Sequence, residues 1–158
     1  MSRKSVGYAL RIEIAADAAR VWKALTETSA LQRWCAAGAT ISAQPGGLLR
    51  SPIDSTTQLE ARIDVYDAPR RLRLVHLSKS DDDADQAPAV DDFLIEQRDA
   101  RCIIRILGQG TPRDAAAETR AMRLQVAWRR ALARLKVYLE KRMDIAPPKK
   151  VIEDEIKW

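Results

Sequence analysis

The side chains able to do chemistry are few and lie far apart in the chain. His76 is the only histidine and follows Leu72 and Leu74 at strand parity. Turned inward, its imidazole could orient a ligand carbonyl or hydroxyl, or act as a base near neutral pH. The plainer and favoured expectation is a satisfied histidine at a strand end near a rim. Asp91 shares parity with Phe93 and could approach the same space, giving an Asp–His couple, but it follows an acidic stretch and reads first as a solvated loop residue. His76 and Asp91 are the only candidates for catalysis. Cys35 and Cys102 lack the paired spacing of a metal knuckle or redox couple. Cys102 alternates with Ile104 and Ile106, so it is expected to point inward and behave as a small hydrophobe unless a neighbour activates it. With one histidine and two separated cysteines, no metal or cofactor is expected. Gly108-Gln109-Gly110 lacks the surroundings of a phosphate-binding loop, and no Gly-x-Ser-x-Gly elbow occurs.

Binding residues are easier to nominate than catalytic ones. Trp34 ends a short helical segment, and Trp128 sits in the middle of an apolar helical stripe. Either could line a pocket, or simply fill the core, as aromatic side chains commonly do. With Phe93, Cys102 and Ile104 they are the expected walls of a cavity for a small hydrophobic ligand. His76 and Gln125, the latter one turn before Trp128, would orient that ligand.

The elements that must carry these residues follow from periodicity. Val6 to Ile14 alternates as a strand. Asp17 is placed to cap a helix running to about Glu27, and Thr28 or Ser29 to cap a second, Ala30 to Trp34. Strands are expected at Ala39–Ala43 and Leu48–Ser51, separated by the turn Pro45-Gly46-Gly47. Gln58 to Tyr66 should carry Leu59, Ala61, Ile63 and Val65 on one face. Arg71–Leu77, Asp92–Arg98 and Cys102–Leu107 follow, with Phe93, Ile95 and Gln97 on one side. The acidic stretch Ser78 to Pro88 reads as a mobile loop. Leu124, Trp128, Ala131, Leu135 and Leu139 then recur at helical spacing in one long helix, Asp114 to Met143, before Pro147-Pro148 forbids continuation.

This order predicts an α+β helix-grip architecture: a curved antiparallel sheet of six to seven strands wrapped around the C-terminal helix, with two short helices after the first strand. Residues 1–143 form the expected single domain and 144–158 a C-terminal tail. Ile152, Ile156 and Trp158 make that tail a candidate for docking on the same domain or for a homodimer contact.

Composition fits such a domain. The 158 residues are 46% hydrophobic and 31% charged, with net charge +5. No apolar run is long enough for a membrane span, and the basic start has no apolar segment behind it, so the cytoplasm is the default compartment. Positive charge gathers between Arg113 and Arg142. It reads as a solvated helix face or an interaction surface for another macromolecule. Nucleic acid is not the expected partner, because no exposed aromatics interleave with the basic residues.

Several segments together resemble the START-like superfamily, also called the polyketide cyclase and lipid-transport superfamily. They are Ile12-Glu13-Ile14, Ala18-Ala19-Arg20-Val21-Trp22-Lys23-Ala24-Leu25-Thr26, Leu31-Gln32-Arg33-Trp34, Pro45-Gly46-Gly47 and Asp67-Ala68-Pro69-Arg70-Arg71-Leu72, then Trp128 with Leu132, Leu135 and Tyr138-Leu139-Glu140. Within it the chain is similar to the branch named after activators of the ninety-kilodalton heat-shock chaperone ATPase. The resemblance spans Val6 to Lys141 and implies the helix-grip fold. It also implies a function of binding lipids, hormones or polyketides, with cyclase- or hydrolase-like catalysis through His76 as the alternative. Members that activate the chaperone carry an additional N-terminal domain that these residues do not include, so chaperone activation is not expected. The family often has a glycine before the helix tryptophan and a histidine near the end of the last strand. Ala127 and Gly108 stand there instead, so a chemistry depending on that histidine does not carry over.

Overall fold

The computed structural model describes residues 6–55, 57–77, 89–110 and 114–141. The chain begins with β1 (Val6–Ile14), turns through α1 (Ala18–Thr26) and α2 (Thr28–Trp34), and continues as β2 (Thr40–Ile41), β3 (Leu48–Pro52), β4 (Gln58–Asp67), β5 (Arg71–His76), β6 (Val90–Arg98) and β7 (Arg101–Gly110). It closes with the long helix α3 (Ala115–Lys141). All seven strands join one antiparallel sheet in the order β1-β7-β6-β5-β4-β3-β2. Every neighbour except β1–β7 is consecutive in sequence, and β1 lies against the last strand, pairing Val6 with Gly110 and Ile14 with Cys102. The α+β helix-grip architecture is therefore the fold of this chain.

Alternation sets the two faces of the sheet. Leu10 and Ile14 on β1, Leu59, Ala61 and Ile63 on β4, Leu72 and Leu74 on β5, Phe93 and Ile95 on β6, and Cys102, Ile104 and Ile106 on β7 are buried in the core. They meet the stripe Leu124, Trp128, Ala131, Leu132, Leu135 and Leu139 of α3. At about 25 cal/mol per Å² of apolar surface removed from water, this contact dominates the favourable side of folding.

Local signals explain most boundaries. Oδ1 of Asp17 accepts from the backbone N–H of Arg20 at 2.8 Å and caps α1, and Oδ1 of Asp114 does the same for α3 through Ala117 at 2.9 Å. Gly46 adopts φ +80°, the left-handed region in which glycine pays no steric cost. A side chain at Gly47 would run into the backbone of Ser42. This turn folds back onto β4, where Ile63 exchanges backbone hydrogen bonds with Gly46 and Gly47 at 2.8 Å each.

The structure corrects several expectations. Thr28 does not cap α2 but is its first residue, with Glu27 at the cap position. Its hydroxyl instead bonds both backbone groups of Ile41, at 3.0 and 3.1 Å, pinning the two-residue β2 to the helical corner. The alternation of β4 breaks between Ile63 and Val65, where the register shifts. Val65 is only half-buried, and Tyr66 packs its ring on Trp22 with centroids 5.1 Å apart. β6 starts at Val90 rather than Asp92, which draws Asp91 into the sheet. Gln97 keeps its side but is exposed, at the rim, where it accepts from the N–H of Ala18 at 2.6 Å. The Ser78–Pro88 loop and the tail with Ile152, Ile156 and Trp158 lie outside the described residues.

Candidate functional site

Two features meet at the middle of α3, around Trp128: a small apolar cavity and a buried polar cluster. The cavity is enclosed by Leu25 of α1, Leu31 and Trp34 of α2, Leu49 and Ser51 of β3, Leu72 and Leu74 of β5, Phe93 of β6 and Trp128 of α3, with Cys35 and Ala39 beyond the helical corner. It offers ≈ 20 Å³ to the centre of a water-sized sphere, room for about one or two waters. Its wall is almost entirely apolar. The indole N–H of Trp34 is committed to the carbonyl of Ala24 at 2.9 Å, and that of Trp128 to Asp91 at 3.1 Å. Neither can turn a donor into the cavity without breaking a buried bond. Phe93 meets Trp128 edge to face, centroids 5.1 Å apart and planes at 85°, a favoured aromatic geometry. The hydroxyl of Ser51 and the thiol of Cys35, 3.8 Å apart, are the polar groups of the lining. Burial pushes the Cys35 thiol up, against weaker opposing effects of Ser51 and Arg134, so it is not a ready nucleophile.

Behind Trp128 lies the polar cluster. Asp91 is fully buried. Its Oδ1 accepts from the phenol of Tyr8, and its Oδ2 from Trp128 at 3.1 Å and from Nε2 of His76 at 2.6 Å. A buried carboxylate needs this many donors to offset its lost hydration. Tyr8 and Trp128 supply them unconditionally. Burial, reinforced by the neighbouring Asp91 charge, pushes the Tyr8 phenol well above its ordinary value, so its proton stays in place. The other imidazole nitrogen, Nδ1 of His76, lies 3.5 Å from the guanidinium of Arg120, which also reaches the carbonyl of Gln58 at 3.4 Å. A guanidinium can only donate. Where Nδ1 accepts from it, the imidazole proton is on Nε2, facing Asp91.

Register explains how Tyr8 reaches Asp91 across an intervening strand. Tyr8 pairs with Gly108 and Gly108 pairs with Asp91. Gly108 has no side chain, so the tyrosine ring lies over its Cα; a Cβ there would overlap the ring. The place where the resemblance led one to look for a histidine is filled by the ring of Tyr8.

Of the residues nominated from sequence, the structure brings Trp34, Phe93 and Trp128 together around the cavity, and joins His76 and Asp91 behind it. Cys102 and Ile104 are fully buried on the same sheet face but not among the cavity's lining residues. The Cys102 thiol points at Gln97, 3.6 Å away, and burial pushes it up. Gln125 is half-buried on α3, also outside the lining. Asp91 is corrected from a solvated loop residue to a fully buried strand residue. Its parity with Phe93 was the signal, overridden by the acidity of the preceding stretch. Tyr8, Ser51 and Arg120 were missed; for Tyr8 the signal was its place at inward parity opposite a glycine. Among the described residues, no group of three or more His, Cys, Asp or Glu could hold a metal ion, and no helix is long and apolar enough to cross a membrane.

The fold has well-matched relatives among solved structures. The Aha1 dimer from Colwellia psychrerythraea superposes with a TM-score of 0.68 at 16% identity, covering 85% of this chain and 96% of that one. CalU16 from Micromonospora echinospora gives 0.68 at 17% identity, covering 90% and 78%. Protein MLL2253 from Mesorhizobium loti gives 0.70 at 15% identity, covering 89% and 100%. At these identities the likeness is one of fold. No curated protein sequence matches the chain. A family model does match, across residues 15–140, from the end of β1 to the last turn of α3, and the chain belongs to that family, described as activator of Hsp90 ATPase homolog 1-like protein.

Proposed function

We propose that this protein binds a small, predominantly apolar molecule in the cavity between the α1–α2 corner, the sheet and α3. The observation that carries the reading is the lining itself. Three aromatic rings and five leucines converge there, and both indole N–H groups are engaged elsewhere. A ligand meets ring faces and edges, with only Ser51 and Cys35 to recognise a single polar group. Polar analogues would lose hydration without recovering hydrogen bonds. A ligand larger than a water or two must also displace part of the enclosure, so binding couples to outward movement of the corner or of α3. The test is an NMR titration of the protein with toluene, following the methyl groups of Leu25, Leu72 and Leu74. Saturable shifts that vanish in Ala39→Val, which fills the cavity, are the expected result. Absent shifts, or shifts elsewhere, would overturn the reading. Native mass spectrometry of freshly purified protein would reveal a ligand carried from the cell.

A second reading, acid–base catalysis, is favoured by one observation: the Asp91–His76 contact at 2.6 Å, with the other imidazole nitrogen turned toward Arg120. A carboxylate that orients an imidazole and stabilises its protonated form is the arrangement of many general bases. Hydrolysis of p-nitrophenyl alkanoates that survives His76→Gln unchanged would remove it.

A further inference from the structure

Among the described residues, the outward side of α3 has no packing partner. At about 100° per residue, the arc opposite Leu124 and Leu135 carries Met122 and Val126, 61% and 41% exposed and one turn apart. Thr119 and Ala133, also exposed, extend this strip. Arg123 and Arg130 flank it on one side and Arg129 on the other, all three exposed. No Asp or Glu occurs between Glu118 and Glu140. The other basic residues of this stretch are occupied. Arg134 donates to the carbonyls of Trp34 and Cys35, Lys136 to Glu140 and the carbonyl of Glu13, and Arg120 contacts His76 and Gln58. The sheet pairs most of its arginines, Arg71 with Asp92 at 2.8 Å, Arg105 with Glu96 at 3.1 Å and Arg50 with Glu60 at 3.2 Å among them. Arg123, Arg129 and Arg130 have no such pair among the described residues.

We propose that this ridge docks an acidic polypeptide segment of a partner protein, with an apolar residue set between its carboxylates. The guanidinium fork matches a carboxylate in two parallel hydrogen bonds. Arg123 and Arg130 lie two turns apart, about 10 Å along the axis, close to the distance between carboxylates three residues apart on a polyproline II segment, whose three-residue turn at about 3.1 Å per residue sets them on one face. Met122 and Val126 supply the apolar contact between them. A bilayer interface would call for large aromatic or leucine side chains reaching outward, and this ridge has none. The surface is separate from the cavity, so its fate does not depend on the ligand-binding reading.

The experiment is a titration of the labelled full chain with a synthetic peptide carrying glutamate at every third position and leucine between. Amide shifts should cluster between Thr119 and Ala133, and affinity should fall about tenfold or more between ~25 and ~150 mM salt. R123Q/R129Q/R130Q should weaken binding about tenfold, while R11Q/R33Q/R62Q, the same loss of charge on exposed residues elsewhere, should change it less than about twofold. M122S/V126S should weaken it without altering its salt dependence. Equal losses in the two arginine variants, shifts away from α3, or no binding would overturn the proposal. So would tighter binding to phosphatidylserine vesicles, or to duplex DNA, through the same three arginines. All substitutions are at exposed positions, and unchanged melting temperatures would show that the variants are folded.

Discussion

Asp91 and His76 are joined through one carboxylate oxygen, Oδ2 to Nε2 at 2.6 Å, with 1% and 6% of their side chains exposed. The pair sits where β5 and β6 pass beneath α3, and Trp128 donates to the same oxygen. Removing the carboxylate strands three buried donors. Asp91→Ala is expected to lower unfolding stability by about 2–4 kcal/mol in urea denaturation. Asp91→Leu should recover part of this by filling the space, but not all, because Tyr8, His76 and Trp128 still lack an acceptor. A loss under about 0.5 kcal/mol would mean that the donors find other partners.

Gly108→Ala forces its Cβ into the ring of Tyr8. The ring must leave its place over β7 and release Asp91, at an expected cost of about 1–3 kcal/mol. In Tyr8→Ala the space is already empty, so adding Gly108→Ala should cost far less than it does alone. A double-mutant cycle reads this coupling directly; strict additivity would show that the ring and the glycine do not compete.

Leu74→Ala should enlarge the cavity and cost about 2–5 kcal/mol, while increasing affinity for toluene. Stability and binding would then move in opposite directions at one residue, and a calorimetric titration beside a thermal melt measures both. Weaker binding in the folded variant would place the probe elsewhere.

Glu140 couples stability to pH. Lys136, 2.7 Å away, and the N–H of Ala15, at 2.8 Å, hold its carboxyl below the usual glutamate range. A carboxyl whose pKa is lower in the folded than in the unfolded state contributes stability above its unfolded value and loses it as pH falls through the folded one. The contribution should therefore be complete at neutral pH and fade below about pH 4.5, the region of an ordinary glutamate. Glu140→Gln should flatten that part of the acid-unfolding profile and leave the neutral region parallel to the parent. The group is exposed, so the effect is small and weakens with salt.

The fold was largely legible in the sequence because it rests on repeated signals. The inward positions Tyr8, Leu10, Ile12 and Ile14 of β1 and a stripe of buried residues on α3 each say the same thing several times over. The departures arise where one local interaction decides. The bulge after Ile63 lies beside the bonds from the Gly46–Gly47 turn, and the role of Thr28 comes from a bond to Ile41, neither of which periodicity encodes. At the site, the cavity aromatics could be named, since bulk apolar side chains near the middle of elements are readily assigned inward. The polar cluster could be only half seen. Asp91 becomes buried solely because Tyr8, His76 and Trp128, from three other elements, converge on it with donors. That convergence depends on cross-strand register, which single-strand patterns leave open.

The placement of β1 beside β7 has a kinetic consequence. Almost the whole domain lies between Ile14 and its partner Cys102, so the chain's first strand stays unmatched until nearly everything after it has been made. Tyr8 reaches Asp91, and Lys136 clasps the carbonyl of Glu13, only once that closure occurs. Non-local pairing of this kind slows folding and leaves unpaired edges exposed meanwhile. The six strands β2 to β7 form a contiguous meander in which every neighbour is consecutive in sequence. β1 then docks as a late seal, and until it does the open edge of β7 is where the chain most needs protection from aggregation.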